Sequence, residues 1–402
     1  MIDCRGKMNS FQSRPDAPSL LADANRCVRC GLCLPHCPTF NVHHLEAESP
    51  RGRVVLAEAL AHGSLTASST APDHLQRCLS CGHCERVCPA RVPVTSIVAQ
   101  ARHLLGGPNG IERRVLNVLA RPRFLAAVMG GLRWLQRTGL PRSISPALAA
   151  LPKAGPAQGA RSYPACGAVR GRLLLLPGCV ATHLGQDTHA AAIQVLTRLG
   201  FTVKVPAGPA CCGTLHRHFG DGVRGEQLWQ RATMDRAHCD VILIAATGCS
   251  SGVPDHVVNP SGTRVPVRDL CDFLAEQTMG PLAPSTSRKT RILLHLPCTR
   301  RGGRINPDAE TTLLRDIPGL EVAKATAGMG CCGAAGTHFL RHRELAGELA
   351  TPLLEQARTL QPDYIVSSNI GCSLHLRQQL LAAGLAIPII HPVRLLAERI
   401  PA

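Results

Sequence analysis

Two stretches of the chain concentrate thiols at spacings that packing alone does not require. CVRCGLCLPHCPTF sets Cys27, Cys30, Cys33 and Cys37 ahead of Pro38, and CLSCGHCERVCPAR sets Cys78, Cys81, Cys84 and Cys88 ahead of Pro89. In each run three closely spaced thiolates can wrap one face of a [4Fe–4S] cubane. The fourth, set further off beside a proline, reaches the other cluster when two such runs occur. The spacing predicts one cluster on Cys27, Cys30, Cys33 and Cys88 and a second on Cys78, Cys81, Cys84 and Cys37. Zinc also takes C-x2-C pairs, but its sites seldom use a third cysteine at the next such step, and here the pattern occurs twice. Gly31 and Gly82 let backbone amides approach sulfide, while Pro38 and Pro89 end the turns. Arg29, Arg51, Arg53 and Arg86 read either as positive field at the clusters or as solvated surface charge.

A second set of thiols recurs in an internal repeat. LLLLPGCV, ACCGTLHRHFG and DVILIAATGCSSGV of the first copy answer ILLHLPCT, GCCGAAGTHFL and DYIVSSNIGCSLHL of the second. Cys179, Cys211, Cys212 and Cys249 thereby match Cys298, Cys331, Cys332 and Cys372. Adjacent cysteines do not easily form an ordinary disulfide with each other, and the glycine after each pair lets the backbone turn sharply. The physical options are a further cluster, zinc, a redox-active thiol site, or buried structural cysteines. Cys4, Cys166, Cys239 and Cys271 have no partner in the repeat.

The elements that must position these thiols are legible in outline. Between the first two runs, Val54, Val55, Leu56, Ala59 and Leu60 fall at helical spacing behind Pro50, predicting a helical insert. IERRVLNVLARPRFLAAVMGGLRWLQRTGL predicts basic amphipathic helices broken at Pro122. PRSISPALAALPKAGPAQGARSYPACG, rich in Pro, Ala and Gly, predicts a linker. In each repeat copy apolar strands alternate with helices, which implies a parallel sheet. The cysteines then fall just past the carboxyl ends of strands, where open α/β sheets place their sites. The expected fold is multidomain: an all-α helical ferredoxin-like domain (1–105), a basic helical connector and linker (106–170), and two repeated α/β cysteine-rich domains (171–283 and 284–402).

Bulk properties narrow the function. Twenty cysteines in 402 residues would suggest a disulfide scaffold only in a short secreted chain. The N-terminal residues have no continuous apolar stretch and predict no signal peptide. A reducing cytoplasm is the expected compartment, where thiolates point to metal. The net charge of +17 is uneven: residues 106–172 hold eleven Arg/Lys against Glu112 alone. That segment suits an anionic membrane leaflet, met peripherally at the inner face, or an acidic partner. With 3% aromatics and no helix-turn-helix or zinc-finger spacing, nucleic acid is not an expected partner. No flavin-binding fingerprint, Ser/His/Asp set or paired-carboxylate signature stands out, so the chain reads as an electron carrier rather than a site of hydride chemistry.

The CCG repeats resemble the cysteine-rich domain of heterodisulfide reductase, in which C-x(31–38)-CCG-x(33–38)-C-x-x-C binds noncubane clusters that cleave a disulfide. The order of parts is similar to the glycolate oxidase iron–sulfur subunit family, a likeness carried by ADANRCVRCGLCLPHCPTF, SPRGRV, LQRCLSCGHCERVCPARV, GPACCGTLHRH, TGCSSGV, HLPCT, CCGAAGTHFL and SNIGCSLHL. The resemblance spans about Asn25 to Arg394. It implies an electron-transfer subunit of a flavin-dependent 2-hydroxy-acid oxidase of the glycolate or lactate type. It further implies two [4Fe–4S] clusters, FAD on a partner subunit, and quinone or another acceptor downstream. Further Fe–S or zinc at the CCG sites, and a thiol/disulfide reductase of the heterodisulfide type, stand as alternatives. One departure marks the chain: the last cysteine of C-x-x-C is replaced by Gly252 and His375. His375 is a further candidate ligand, His295 is equally ambiguous, and His338 is expected to pack or cap.

Overall fold

The computed structural model describes residues 18–65, 70–108, 110–137, 161–206, 211–234, 238–280, 282, 289–302, 305–325 and 331–400. Cys4 and most of the expected linker lie outside them. From Pro18 to Arg137 the described elements are helices and short 3-10 turns. Helix Pro50–Ala61 begins where Ser49 accepts a hydrogen bond from the Gly52 amide and Pro50 occupies the first turn, two devices that satisfy or remove amides otherwise left bare. Its apolar stripe, Val54, Ala57, Leu60 and Ala61, is buried with Leu20, Leu75, Ile97 and Val98 of neighbouring helices. This small core frames both cysteine runs.

The repeat builds two sheets. The strands are β1 (Arg161–Tyr163), β2 (Gly171–Leu176), β3 (Phe201–Val205), β4 (Val241–Ile244), β5 (His256–Val258), β6 (Arg264–Asp269), β7 (Thr290–Leu294), β8 (Leu320–Lys324), β9 (Tyr364–Val366) and β10 (Ile389–Ile390). The orders are β1-β3-β2-β4-β6-β5 and β10-β9-β7-β8. Stripped of β1 and β5, the first sheet runs β3-β2-β4-β6 and matches β8-β7-β9-β10 strand for strand. These shared strands are parallel. The expected parallel sheets are present, and β1 and β5 add antiparallel strands to the edges of the first. β1 comes from the end of the expected linker, where three residues align with β3 once the chain has turned back. Continuous apolar runs such as Leu173–Leu176 are covered on both faces, as parallel strands require.

The two repeats form one core by reciprocal exchange. Helix Pro392–Ala397, after the last strand of the second repeat, packs on helix Gln186–Arg198 of the first. Helix Leu270–Ala275, after the last shared strand of the first, packs on helix Ala309–Arg315 of the second. Leu196, Leu274, Leu314 and Leu396 consequently share one buried cluster. Burying each such side chain contributes roughly 1.5–3 kcal/mol. At the seam Arg300 is fully buried, ion-paired to Asp269 (2.6 Å), Asp272 and Glu310 (2.6 Å). The connector helices Gly110–Leu119 and Pro122–Arg137, split at Pro122 as the sequence predicts, lie over the first repeat. Glu112 anchors them to Arg341 of the second at 2.8 Å.

Candidate metal centres

The two N-terminal cysteine loops repeat each other at the level of the backbone. Arg29 and Gly31 have φ of 57° and 89°, and Ser80 and Gly82, at the same steps between their cysteines, have 49° and 75°. Left-handed residues alternating in this way turn successive amides to one side and make a concavity suited to an anionic cluster. A non-glycine residue held there costs about 1–2 kcal/mol, so strain appearing twice at matching positions marks a site. Burial raises the Cys33 thiol, and Cys27 and Cys30 press on it further. Burial likewise pushes Cys81 and Cys84 well up, with Cys78 and Cys37 among their charged neighbours. Cys37 thus sits with the second run, away from its own. Arg26 donates to the Ala90 carbonyl at 2.9 Å, drawing the residues after Cys88 toward the first. The donor chemistry and this crossing fit two cubanes.

The four flagged arginines separate. Arg53 is buried, donates to Thr39 Oγ1 (2.9 Å), and approaches Cys37 Sγ at 3.7 Å. Its charge is balanced by Glu48, which also takes Arg77 at 2.6 Å. Burial raises the Glu48 carboxyl, but Arg77 and Arg53 outweigh it and hold it below the usual range. Arg51 pairs with Glu46 and ties to the Arg29 carbonyl, Arg29 pairs with Glu58, and Arg86 donates to the Arg301 carbonyl of the second repeat.

In the repeats, all eight cysteines line one cavity of about 270 Å³ between the two sheets. Cys179 donates to Cys211 and Cys249 to Cys212 in the first; Cys298 donates to Cys331 and Cys372 to Cys332 in the second. These bonds, with burial, push the four donors well above the ordinary thiol value. Cys212 goes the other way, down to about 6, through the Cys249 hydrogen bond with help from Thr214 and Arg217. The four raised thiols keep their protons unless a cation replaces them, which is what a thiolate metal site does. Gly213 and Gly333 have φ of 73° and 79°, and a Cβ on either would strike the helix carbonyl of Gly225 at 2.0 Å or Ala346 at 2.4 Å. This close packing explains the glycine after each pair.

The ferredoxin-like loop abuts the second repeat. A Cβ on Gly302 would lie 2.5 Å from the Cys81 carbonyl, and Cys298 is the largest charged neighbour of Cys81. The sequence did not single out Gly302, because nothing in it pairs residues so far apart. Nor did it decide between the two histidines. His375 packs against Phe339 and approaches the Ala346 carbonyl at 3.2 Å, whereas His295 joins Cys332 and Cys372 with ligand atoms all within 4.8 Å of one another. His338 is buried and bonded to the Gly333 carbonyl. Cys166 is exposed, and Cys239 and Cys271 are buried in apolar clusters.

This geometry defines a class: a two-cluster iron–sulfur module docked on a pair of cysteine-rich modules. Residues 23–92 match the 4Fe-4S dicluster domain, and residues 173–253 and 292–377 each match the Cysteine-rich domain. The chain is 31% identical over 401 residues to the glycolate oxidase iron-sulfur subunit of Escherichia coli (strain K12), covering 91% of this chain and 93% of that protein. It is 25% identical over 430 residues to the probable glycolate oxidase iron-sulfur subunit of Bacillus subtilis (strain 168), covering 97% and 96%. It is also 24% identical over 370 residues to one of the subunits of a fumarate reductase (CoM/CoB) from Methanothermobacter marburgensis, covering 89% and 68%. The chain belongs to the glycolate oxidase iron–sulfur subunit family.

Proposed function

We propose that the chain is the electron-transfer subunit of a flavin-dependent 2-hydroxy-acid oxidase of the glycolate or lactate type, an oxidoreductase that oxidises its substrate only as a complex. A partner FAD subunit removes two electrons from the acid, and this chain takes them one at a time. When bound, [4Fe–4S] clusters on Cys27, Cys30, Cys33 and Cys88, and on Cys78, Cys81, Cys84 and Cys37, supply the one-electron steps. The observation that carries the reading is the close packing of Gly302 on the Cys81 carbonyl, which brings the second ferredoxin-like loop against the segment that opens with Cys298, one of the thiols whose charge raises Cys81. The first loop supports entry at that end: Cys30 is exposed, flanked by Val28 and Leu32 at 75% and 57% exposure, an apolar rim suited to a protein partner. The second loop is shielded, with Arg53 beside Cys37, where a buried cation favours the reduced state. The cysteine sets of the repeats (179, 211, 212, 249 and 298, 331, 332, 372) hold further metal and pass electrons toward quinone or another acceptor.

The same reading divides the chain into an all-helical ferredoxin domain (1–105), a connector (106–170) and two CCG domains (171–283, 284–402). Among the described residues no single helix is long and apolar enough to cross a membrane. The exposed Arg113, Arg114 and Arg121 suit peripheral attachment at the inner face of the cell membrane. The test is reduction of the anaerobic purified chain by glycolate or lactate. Bleaching of the iron–sulfur absorbance is expected only after addition of the flavoprotein, and it should slow in Gly302→Ala for electrons passing beyond the cubanes. Substrate oxidation by the chain alone, with flavin bound stoichiometrically, overturns the division of labour.

A further inference from the structure

The two repeats differ at one buried rung of their central ladders. Each sheet is pinned by the same pair: the Arg172 amide donates to Asp240, and the Arg291 amide to Asp363. Counting along the strands from these pins, Leu176 corresponds to His295 and Ile244 to Ser367. In the first repeat the rung is apolar, Leu176 opposite Ile244. In the second it is polar: His295 Nδ1 lies 3.0 Å from Ser367 Oγ. Both polar residues are almost wholly buried, at 0% and 2% exposure. An apolar rung serves the first sheet, so sheet formation does not demand the imidazole in the second. The imidazole faces thiols: one of its nitrogens lies within 4.8 Å of both Cys332 and Cys372, which are 2% and 3% exposed.

We infer that His295, with Cys332 and Cys372, is a ligand of a thiophilic metal centre in the second repeat, while the first repeat binds through thiolates alone. This rests on the reading of the CCG cysteines as metal ligands and deepens it by assigning the imidazole to His295 and not to His375. Ser367 Oγ holds Nδ1 at 3.0 Å, and in the tautomer in which Nδ1–H donates to that hydroxyl, Nε2 is the nitrogen that would bind the metal, as a hydrogen bond on one ring nitrogen orients the other. Cys298 and Cys331, on the same cavity, offer the further thiolates a cluster needs, or one of them the fourth ligand of a tetrahedral zinc. Iron in a cluster and zinc both accept mixed thiolate and imidazole donors. The experiment separates them.

The full chain is grown with 15N-histidine, purified without oxygen, and assayed for iron, sulfide and zinc. Pulsed electron paramagnetic resonance then reads nitrogen coupling to any paramagnetic cluster, and zinc-edge X-ray absorption reads nitrogen at any zinc. Imidazole nitrogen bound to the metal is expected in the parent and in His375→Leu. It is expected to be lost in His295→Leu and in the double variant His295→Leu/Ser367→Ile, which rebuilds the rung that already folds in the first repeat. Occupancy of the second site should drop in these variants, with iron of the eight N-terminal cysteines retained. Metal held in the parent by sulfur alone, or imidazole coupling that survives His295→Leu, overturns the assignment. Cys332→Ser and Cys372→Ser test the wider reading separately: if neither loses metal, the second CCG site is not a metal site, whatever His295 does.

Discussion

The two cysteine-rich repeats share a strand order, a glycine turn and four matched cysteines, yet they are built for different neighbours. The first is roofed by the connector helices, whose Leu125 and Met129 bury Cys179 and Cys211. The second meets the ferredoxin-like loop through Gly302, where the first repeat has His183, a side chain that would not allow the same approach to the Cys81 carbonyl. The differences continue inside. His295 and Ser367 replace Leu176 and Ile244, and Ala334 with His375 replace Thr214 with Gly252. Duplication thus supplied two matching scaffolds, and a few buried substitutions separated a site beside the ferredoxin-like loop from one under the connector.

The largest effect should come from removing thiols on the side nearer the source. Cys332→Ser and Cys372→Ser are expected to cut electron passage from the reduced N-terminal loops to an added acceptor dye by more than about 100-fold. Outer-shell changes at metal sites reach about 10–100-fold, and a lost ligand exceeds them. Cys212→Ser and Cys249→Ser should leave reduction of the second site intact and impair only later steps. Stopped-flow absorbance on the anaerobic complex distinguishes the two pairs. Equal arrest of second-site reduction by all four variants would break the asymmetry and make the sites one unit.

The seam between the repeats gives a pH-dependent prediction. Arg300 comes from the second repeat, where the first has Ala181, and it faces Asp269 and Asp272 of the first together with Glu310. One guanidinium does not satisfy three carboxylates. Burial raises Glu310 from 4.5 to about 7, against the opposing pull of Arg300 and Ser368. Burial raises Asp272 as well. A folded carboxyl that keeps its proton above the unfolded value is a stabilising feature at low pH that fades as pH rises, here from about 4.5 to about 7. For Glu310 the span corresponds to at most about 3 kcal/mol. Glu310→Gln should flatten that limb and gain on the parent at pH 8, as read from urea midpoints of the holoprotein. Superimposable midpoint–pH curves would show that the seam carboxyl does not titrate in this range.

Much of this design was legible in the sequence, and the remainder was not for identifiable reasons. Cysteine spacing and the repeat carry information locally, so the matching of cysteines between the two repeats, the helical insert, the break at Pro122 and the alternation of strands and helices could be read directly. Edge strands β1 (RSY) and β5 (HVV) are three residues each, too short to show a period, and pairing makes them strands. The buried role of Arg53 depended on Glu48, Arg77 and Thr39 converging from separate elements. The choice between His295 and His375 turned on ladder register. Both lie three residues from a cysteine, but one is in line with a strand that ends at the thiols, and the other is carried on helix Ile370–Ala382 toward Phe339.

The smallest effect probes why the first repeat has a bare glycine, Gly252, where the second has His375. A Cβ on Gly252 would lie 2.1 Å from Thr214 Cγ2, so Thr214 itself fills the space. In the second repeat the corresponding residue is Ala334, and the room it leaves is open to a larger side chain at 375. Thr214 is not idle: its hydroxyl contacts the Cys249 carbonyl at 3.3 Å and helps hold Cys212 low. Gly252→Ala alone should therefore overpack the site and cost about 1–3 kcal/mol. Thr214→Ala should cost less, by a lost hydrogen bond and a methyl group. In the double variant the cavity made by one change receives the methyl added by the other, so the combined cost should fall short of the sum by at least about 0.5 kcal/mol, the scale on which contacting residues couple. Urea midpoints of the four proteins, at matched iron content, close the cycle. Additive costs would mean that Gly252 is required by its backbone and not by its neighbour, and the contrast between the repeats at this position would then have to lie in the path of the chain.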